Sequence, residues 1–209
     1  MGITERKQRD REEMRERILD AAIELFLKDG YDKTSIRQIA DAIEYSPATI
    51  YLYFKDKDEL FFAIHHRGFE KLFAAMSATV AVENPLERLK VIGQTYLKFA
   101  IENPEFYDLM FVMRAPMAAL KHRTSCGEAD CDWQHGRRSY ELLVNTIQEC
   151  INQYLVRIPN AEEGALLAWS VVHGMATLLI RERFAMIELS DPEQKMEAVM
   201  DHLIRVMRI

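Results

Sequence analysis

Thr49 lies three residues into a segment that opens with Ser46-Pro47 and carries both a hydroxyl and a methyl group. The hydroxyl can donate to or accept from the edge of a base pair, and the methyl, or Ala48 beside it, can touch the methyl of thymine. Pro47, Ala48, Thr49 and Tyr51 share one face of the short helix this segment predicts. A helix of that size fits a major groove with the N-terminal half of its exposed face toward the bases. That face carries no Arg, Asn or Gln, so bidentate base reading is scarce and specificity leans on DNA shape or on Arg37 from the preceding segment. Phosphate contacts need donors on both flanks of the groove, and Thr34, Ser35, Tyr53 and Lys57 have the chemistry for them. Caps and core claim some of the same residues: Thr34 and Ser46 also suit N-caps, Tyr51 and Tyr53 a core, and Ile50 with Phe54 reads as core.

Other chemistry is sparse. His122, Cys126, Cys131 and His135 are residue types that bind zinc or copper, but their spacing matches no metal motif, and a solvated loop is the plainer reading. The chain has no phosphate-binding glycine loop, no nucleophile elbow and no His-Glu-x-x-His, so neither an enzyme nor a cofactor is expected.

Helices must position these groups. From Met14 to Lys28 the residues Ile18, Ala22, Leu25 and Phe26 repeat on one helical face, and Gly30 offers a stop. Ser35 with Gln38 reads as a capping box opening a helix to about Ile43, whose buried face is Ile36, Ile39, Ala40 and Ile43. A short break around Glu44-Tyr45 leads to Ser46 as N-cap and Pro47 at N1, where the missing N–H costs nothing, and that helix is expected to end near Phe54 or Lys55. Two short helices joined by a tight turn behind a longer one predict a helix-turn-helix. Later spans are Asp56 or Asp58 to about Val82, Pro85 to Ile101, Glu105 to Met113, Trp133 to Tyr154, Ala161 to Phe184 and Pro192 to Met207, with a loop over Lys121 to Asp132. The expected fold is all-α: arm and helix-turn-helix over 1–60, a linking helix over 61–82, and a larger helical regulatory and dimerisation domain over 83–209.

The chain has 209 residues, 49% hydrophobic and 29% charged, the balance of a globular protein. No apolar run is read as membrane-spanning, and three cysteines fit a reducing compartment, so the expected location is the cytoplasm with no membrane partner. Net charge is −6, and residues 1–60 hold 11 Lys and Arg against 14 Asp and Glu. Composition therefore argues mildly against nucleic acid, and position has to argue for it. Arg6, Lys7, Arg9 and Arg11 read as a basic arm, or else as a solvated tail. A helical partner-binding protein without DNA affinity is the rival that the acidity allows.

The residues from Ile18 to Leu60 resemble the tetracycline-repressor family of regulators. The resemblance rests on Gly30-Tyr31, on Thr34 to Ala40, and on the run from Ser46 to Leu60. Where that family usually has Ala-Gly-Val in the turn, this chain has Ile43-Glu44-Tyr45. Trp169 with His173-Gly174 looks like the Trp, His-Gly pattern of one C-terminal subclass. The resemblance implies a dimeric regulator, most often a repressor, bound to a palindromic double-stranded DNA operator and controlled by a small-molecule effector. Phe106, Met110, Met113, Trp133, Trp169, His173 and Met175 are the expected effector-lining residues, since aromatic and Met side chains make adaptable apolar walls. A metal or redox sensor using the Cys/His loop is the alternative. The last two long helices are expected to form the homodimer contact through Ala165, Leu166, Ala168, Trp169, Val172, Met175 and Ala176, with an intramolecular core as the competing use.

Overall fold

The computed structural model describes residues 2–113 and 134–209. The described residues are helical apart from turns and one isolated antiparallel bridge between Val156 and Arg208. The helices are α1 (Ile3–Asp29), α2 (Ile36–Ala42), α3 (Pro47–Tyr51), α4 (Lys57–Ser77), α5 (Pro85–Glu102), α6 (Pro104–Tyr107), α7 (Gln134–Asn152), α8 (Ala161–Ile180), α9 (Arg183–Met186) and α10 (Pro192–Met207). A 3-10 turn, Ala78–Ala81, follows α4, and a π-helical segment, Asp108–Val112, follows α6.

The described residues fall into two compact units, one up to Gly68 plus the segment from Asp108, the other Phe69–Tyr107 plus the residues from Gln134. The division falls inside α4. The expected single helix from Glu105 to Met113 is instead α6 and the π segment, and the unit boundary falls where they meet.

In the first unit, Ile18, Leu19, Ala22 and Phe26 of α1 are buried with Ile39 and Ala40 of α2, Ile50 and Phe54 around α3, and Leu60, Phe61 and Ile64 of α4. Phe26, Tyr31 and Phe61 cluster in tilted and edge-to-face pairs with ring centroids 5.2 to 5.8 Å apart. Arg67 of α4 reaches Glu16 at 2.8 Å and Asp20 at 3.1 Å on α1. The expected basic arm is not an irregular tail, because α1 starts at Ile3. A bond from Gly2 N–H to Glu5 Oε2 at 2.8 Å and an Arg9–Glu13 pair at 3.5 Å support the added turns.

In the second unit α5 packs against α7, α8 and α10. Gly93 lets α5 approach its neighbours, since a Cβ there would meet Met200 Sδ at 3.0 Å and Val172 at 3.4 Å. The helix expected to run from Ala161 to Phe184 stops at Ile180, and the chain turns through Glu182, with φ 52°, into the short α9. α8 is long and apolar enough to cross a membrane by length and composition, which the sequence reading did not anticipate. One side of it packs inward: Ala165, Ala168, Val172, Met175 and Ala176 are buried inside the chain. For those five residues the intramolecular core is the outcome. The apolar residues left exposed on α8 are Leu166, Leu167 and Leu178.

Candidate nucleic-acid interface

The turn between α2 and α3 explains how a departure from glycine is tolerated. Tyr45 N–H donates to Ala40 O at 2.9 Å and Glu44 N–H to Asp41 O at 3.1 Å, the paired bonds of a Schellman close with Glu44 at its left-handed position. Glu44 has φ 63°, so the turn keeps its shape and the chain carries the cost of about 1 to 2 kcal/mol. Arg17 of α1 braces it, with Nη2 3.5 Å from Ile43 O and the guanidinium 5.6 Å from the Tyr45 ring centroid.

α2 opens on Ser35, whose Oγ accepts from Gln38 N–H at 3.3 Å while Ser35 N–H donates to Gln38 Oε1 at 2.8 Å. Ser35 is exposed, so its hydroxyl faces solvent while it caps. Arg37 is exposed too, with Asp41 at the edge of ion-pair range, 4.0 Å. α3 is shorter than expected, ending at Tyr51 rather than near Phe54. Ser46 makes no side-chain cap; its Oγ lies 3.2 Å from Thr49 Oγ1. Ala48, Tyr51 and Leu52 are exposed, Pro47 and Thr49 half-buried, and Ile50 fully buried, so one side of α3 anchors and the other stays open. Leu52, 74% exposed, is an apolar residue on this surface that sequence reasoning missed.

The flanking donors divide. Tyr53 is half-buried with the Arg11 guanidinium 5.9 Å above its ring. Thr34 is buried, and its hydroxyl lies 2.9 Å from Gly30 O and 3.2 Å from Leu25 O, so its side chain ties α1 to the loop. Lys57 also turns inward: Nζ donates to Tyr31 O at 2.8 Å and Thr34 O at 3.0 Å, 4.2 Å from the Tyr31 ring centroid. Tyr31 in turn donates to the Asp58 carboxylate, and burial first, then Asp58, pushes its phenol pKa well up. Two backbone carbonyls thus hold the Lys57 ammonium, which keeps a third N–H.

In the second unit Trp169 and His173 come together, ring centroids 6.1 Å apart, with two tyrosines the sequence reading left out. Trp169 Nε1–H donates to the Tyr96 hydroxyl at 3.2 Å, Tyr96 to the Tyr107 hydroxyl at 3.4 Å, and Tyr107 to His173 Nδ1 at 2.6 Å. Burial raises both phenol pKa values and lowers that of His173, which favours the neutral imidazole; the Tyr107 donation belongs to the tautomer with Nδ1 unprotonated. Tyr96 and Tyr107 sit at apolar positions of helical stripes, where a tyrosine reads as plain core; only the hydroxyl could have marked them. Phe106 and Met175 are buried in the same unit, with Lys71 Nζ 5.0 Å from the Phe106 ring centroid. Met110, buried, and Met113 belong to the first unit. Trp133 lies outside the described residues, as do His122, Cys126 and Cys131 of the metal alternative. His135 packs 5.9 Å from the Phe73 ring, and no metal-binding cluster occurs among the described residues.

Residues 18–64 match the family model described as "Bacterial regulatory proteins, tetR family", and residues 89–203 match that described as "Tetracyclin repressor-like, C-terminal domain". Among curated relatives, the transcriptional regulator TcmR of Streptomyces glaucescens is 35% identical over 42% of this chain and 38% of its own length. The repressor KstR of Rhodococcus jostii is 35% identical over 38% of this chain and 37% of its own. These alignments thus span under half of those relatives. A tetR-family regulatory protein from Rhodococcus RHA1 superposes with a TM-score of 0.73 at 21% identity, covering 93% of this chain and 96% of that one. PfmR from Thermus thermophilus superposes at 0.65 and 24%, over 90% and 97%, so the fold is shared along nearly the whole chain. With family models matching both its first helices and more than half its length, the chain belongs to the tetracycline-repressor family of bacterial regulatory proteins.

Proposed function

We propose that the protein is a cytoplasmic, sequence-specific DNA-binding regulator, most simply a repressor, without enzymatic activity. The observation that carries this reading is the open face of α3: Ala48, Tyr51 and Leu52 face solvent while Ile50 and Phe54 anchor the same short rod in the core. In this reading Ser46, Pro47, Ala48, Thr49 and Tyr51 enter the major groove, and Ser35, Arg37 and Tyr53 meet the flanks. Thr34 and Lys57 hold the scaffold.

A single α3 covers only a half-site, so the reading requires a homodimer on a palindromic operator. Leu166, Leu167 and Leu178 of α8 and Val199 and Val206 of α10 are exposed apolar residues suited to a second copy. Gly174, on the same open side of α8, has nothing within 4 Å of an added Cβ, leaving room for a close helix–helix approach. The hydrogen-bonded group Tyr96, Tyr107, Trp169 and His173 is the proposed sensing centre for a small-molecule effector. Buried polar side chains fix orientation and selectivity in such sites.

Selection of genomic fragments on the purified protein, followed by titration at several salt concentrations, tests the reading. A fragment bound with affinity that falls steeply as salt rises supports it. Binding of no fragment, or binding insensitive to salt, overturns it.

A further inference from the structure

The N-terminal half of α1 is more than the core requires. Its first fully buried residue is Ile18, yet the helix begins at Ile3, so most of four turns stand outside the hydrophobic core. One face of it is basic. At about 100° per residue, Lys7, Arg11 and Arg15 fall within roughly an 80° arc, while Glu5, Glu12 and Glu16 form a second stripe about a third of a turn away. Arg9 is paired with Glu13. The basic stripe is also placed: the Arg11 guanidinium lies 5.9 Å from the Tyr53 ring centroid and that of Arg15 lies 5.1 Å from the Phe54 ring centroid. Both rings lie just beyond the end of α3. The stripe therefore passes the end of the proposed reading helix and spans about 12 Å along α1.

We propose that the Lys7–Arg11–Arg15 stripe of α1 is a second phosphate-binding surface that grips duplex DNA beyond the segment read by α3. This rests on the DNA-reading function proposed above and adds a partner surface to it. The chain's acidity sharpens the case, because a net negative protein needs locally concentrated cations to hold a polyanion. Tyr53, Arg11 and Lys7 would form one continuous line of donors, with Arg11 holding the Tyr53 ring and offering its outer N–H groups to the backbone.

The test compares the full-length wild type with Lys7→Gln/Arg11→Gln on the genomic fragment the wild type binds most tightly. Both side chains are exposed, so the fold should be unaffected. Each lost phosphate contact lowers the slope of log affinity against log salt by about 0.9, so the double variant should lose close to two units of slope and at least about tenfold in affinity at low salt. Hydroxyl-radical protection should also shrink at the outer edges of the footprint. An unchanged slope and footprint would overturn the proposal and leave a solvated helix. Lower affinity at unchanged slope would overturn it as well, since Arg11 would then only orient Tyr53. A wild type that binds no DNA in a salt-dependent way would sink the underlying reading instead, a separate and visible failure.

Discussion

The Lys57 ammonium donates to the Tyr31 carbonyl at 2.8 Å, and the same ammonium reaches the Thr34 carbonyl at 3.0 Å. A cation from the first turn of α4 thereby fixes both ends of the loop that leads into α2. In sequence Lys57 reads as a groove-flank donor; in the fold it clasps the reading motif from behind. Lys57→Met should lower stability by about 1.5 to 3 kcal/mol, the range for hydrogen bonds to a charged group. The salt slope of DNA binding should stay at the wild-type value; a slope lower by about 0.9 would return Lys57 to the phosphate contacts.

Glu44 sits at φ 63° in a turn whose hydrogen bonds are already complete. Glu44→Gly removes a left-handed penalty of about 1 to 2 kcal/mol and adds back about 0.5 to 1 kcal/mol of unfolded-chain entropy. A denaturant midpoint raised by a net stabilisation of up to about 1.5 kcal/mol is expected, with unchanged DNA preference. A destabilised variant would mean that the Glu44 side chain supports the turn.

His65 of α4 is buried, with Nε2 3.3 Å from Met110 O of the π segment. Burial pushes its pKa down to about 4 against the carbonyl contact, which raises it. The unfolded chain protonates this imidazole near pH 6.5 and the folded one only near 4, so stability is complete above 6.5 and is lost as pH falls between the two. From about pH 7 to about pH 5 that loss is about 2 kcal/mol. Urea unfolding at both pH values should show His65→Gln losing less than the wild type by that amount; identical losses would remove His65 as the cause.

Tyr107 donates to His173 Nδ1 at 2.6 Å inside the second unit. Tyr107→Phe removes one hydrogen bond and leaves His173 Nδ1 to the Tyr96 hydroxyl 3.1 Å away, at a cost of about 0.5 to 1.5 kcal/mol. A change under about 0.5 kcal/mol in thermal or urea unfolding would show that the network contributes little.

The two faces of the reading motif should separate in their effects. Thr49→Ala should reorder preferences among operator variants, whereas Tyr53→Ala should weaken all sequences alike. Equal losses across all sequences for both would contradict this division.

Caps and periodicity made the helix-turn-helix legible, because the Ser35–Gln38 capping box and Pro47 at the first position of α3 act locally. Ile50 and Phe54 showed their burial through spacing alone. The inward turn of Lys57 was not legible, since it depends on carbonyls 23 and 26 residues away in the chain meeting it in space. Thr34 was ambiguous for a similar reason, with one of its two carbonyl partners back on α1 at Leu25. Nor was the helical start of α1 legible, where a charged run reads as a tail until its pairing partners are seen on adjacent turns. Tyr96 and Tyr107 were hidden for the opposite reason: a phenol on an apolar stripe looks like core, and its hydroxyl matters only once Trp169 and His173 are beside it. On α8 the small residues Ala165, Ala168 and Ala176 are buried inside the chain, in a helix that packs against α5 and α7.

The central claim, that α3 lies in the major groove, is tested most directly by methylation interference at guanine N7 on a selected operator. N7 is exposed in the major groove alone. The account predicts interference in two patches on one face of the duplex, about one helical turn or a multiple apart. Tight binding with no N7 interference in either half-site would contradict it.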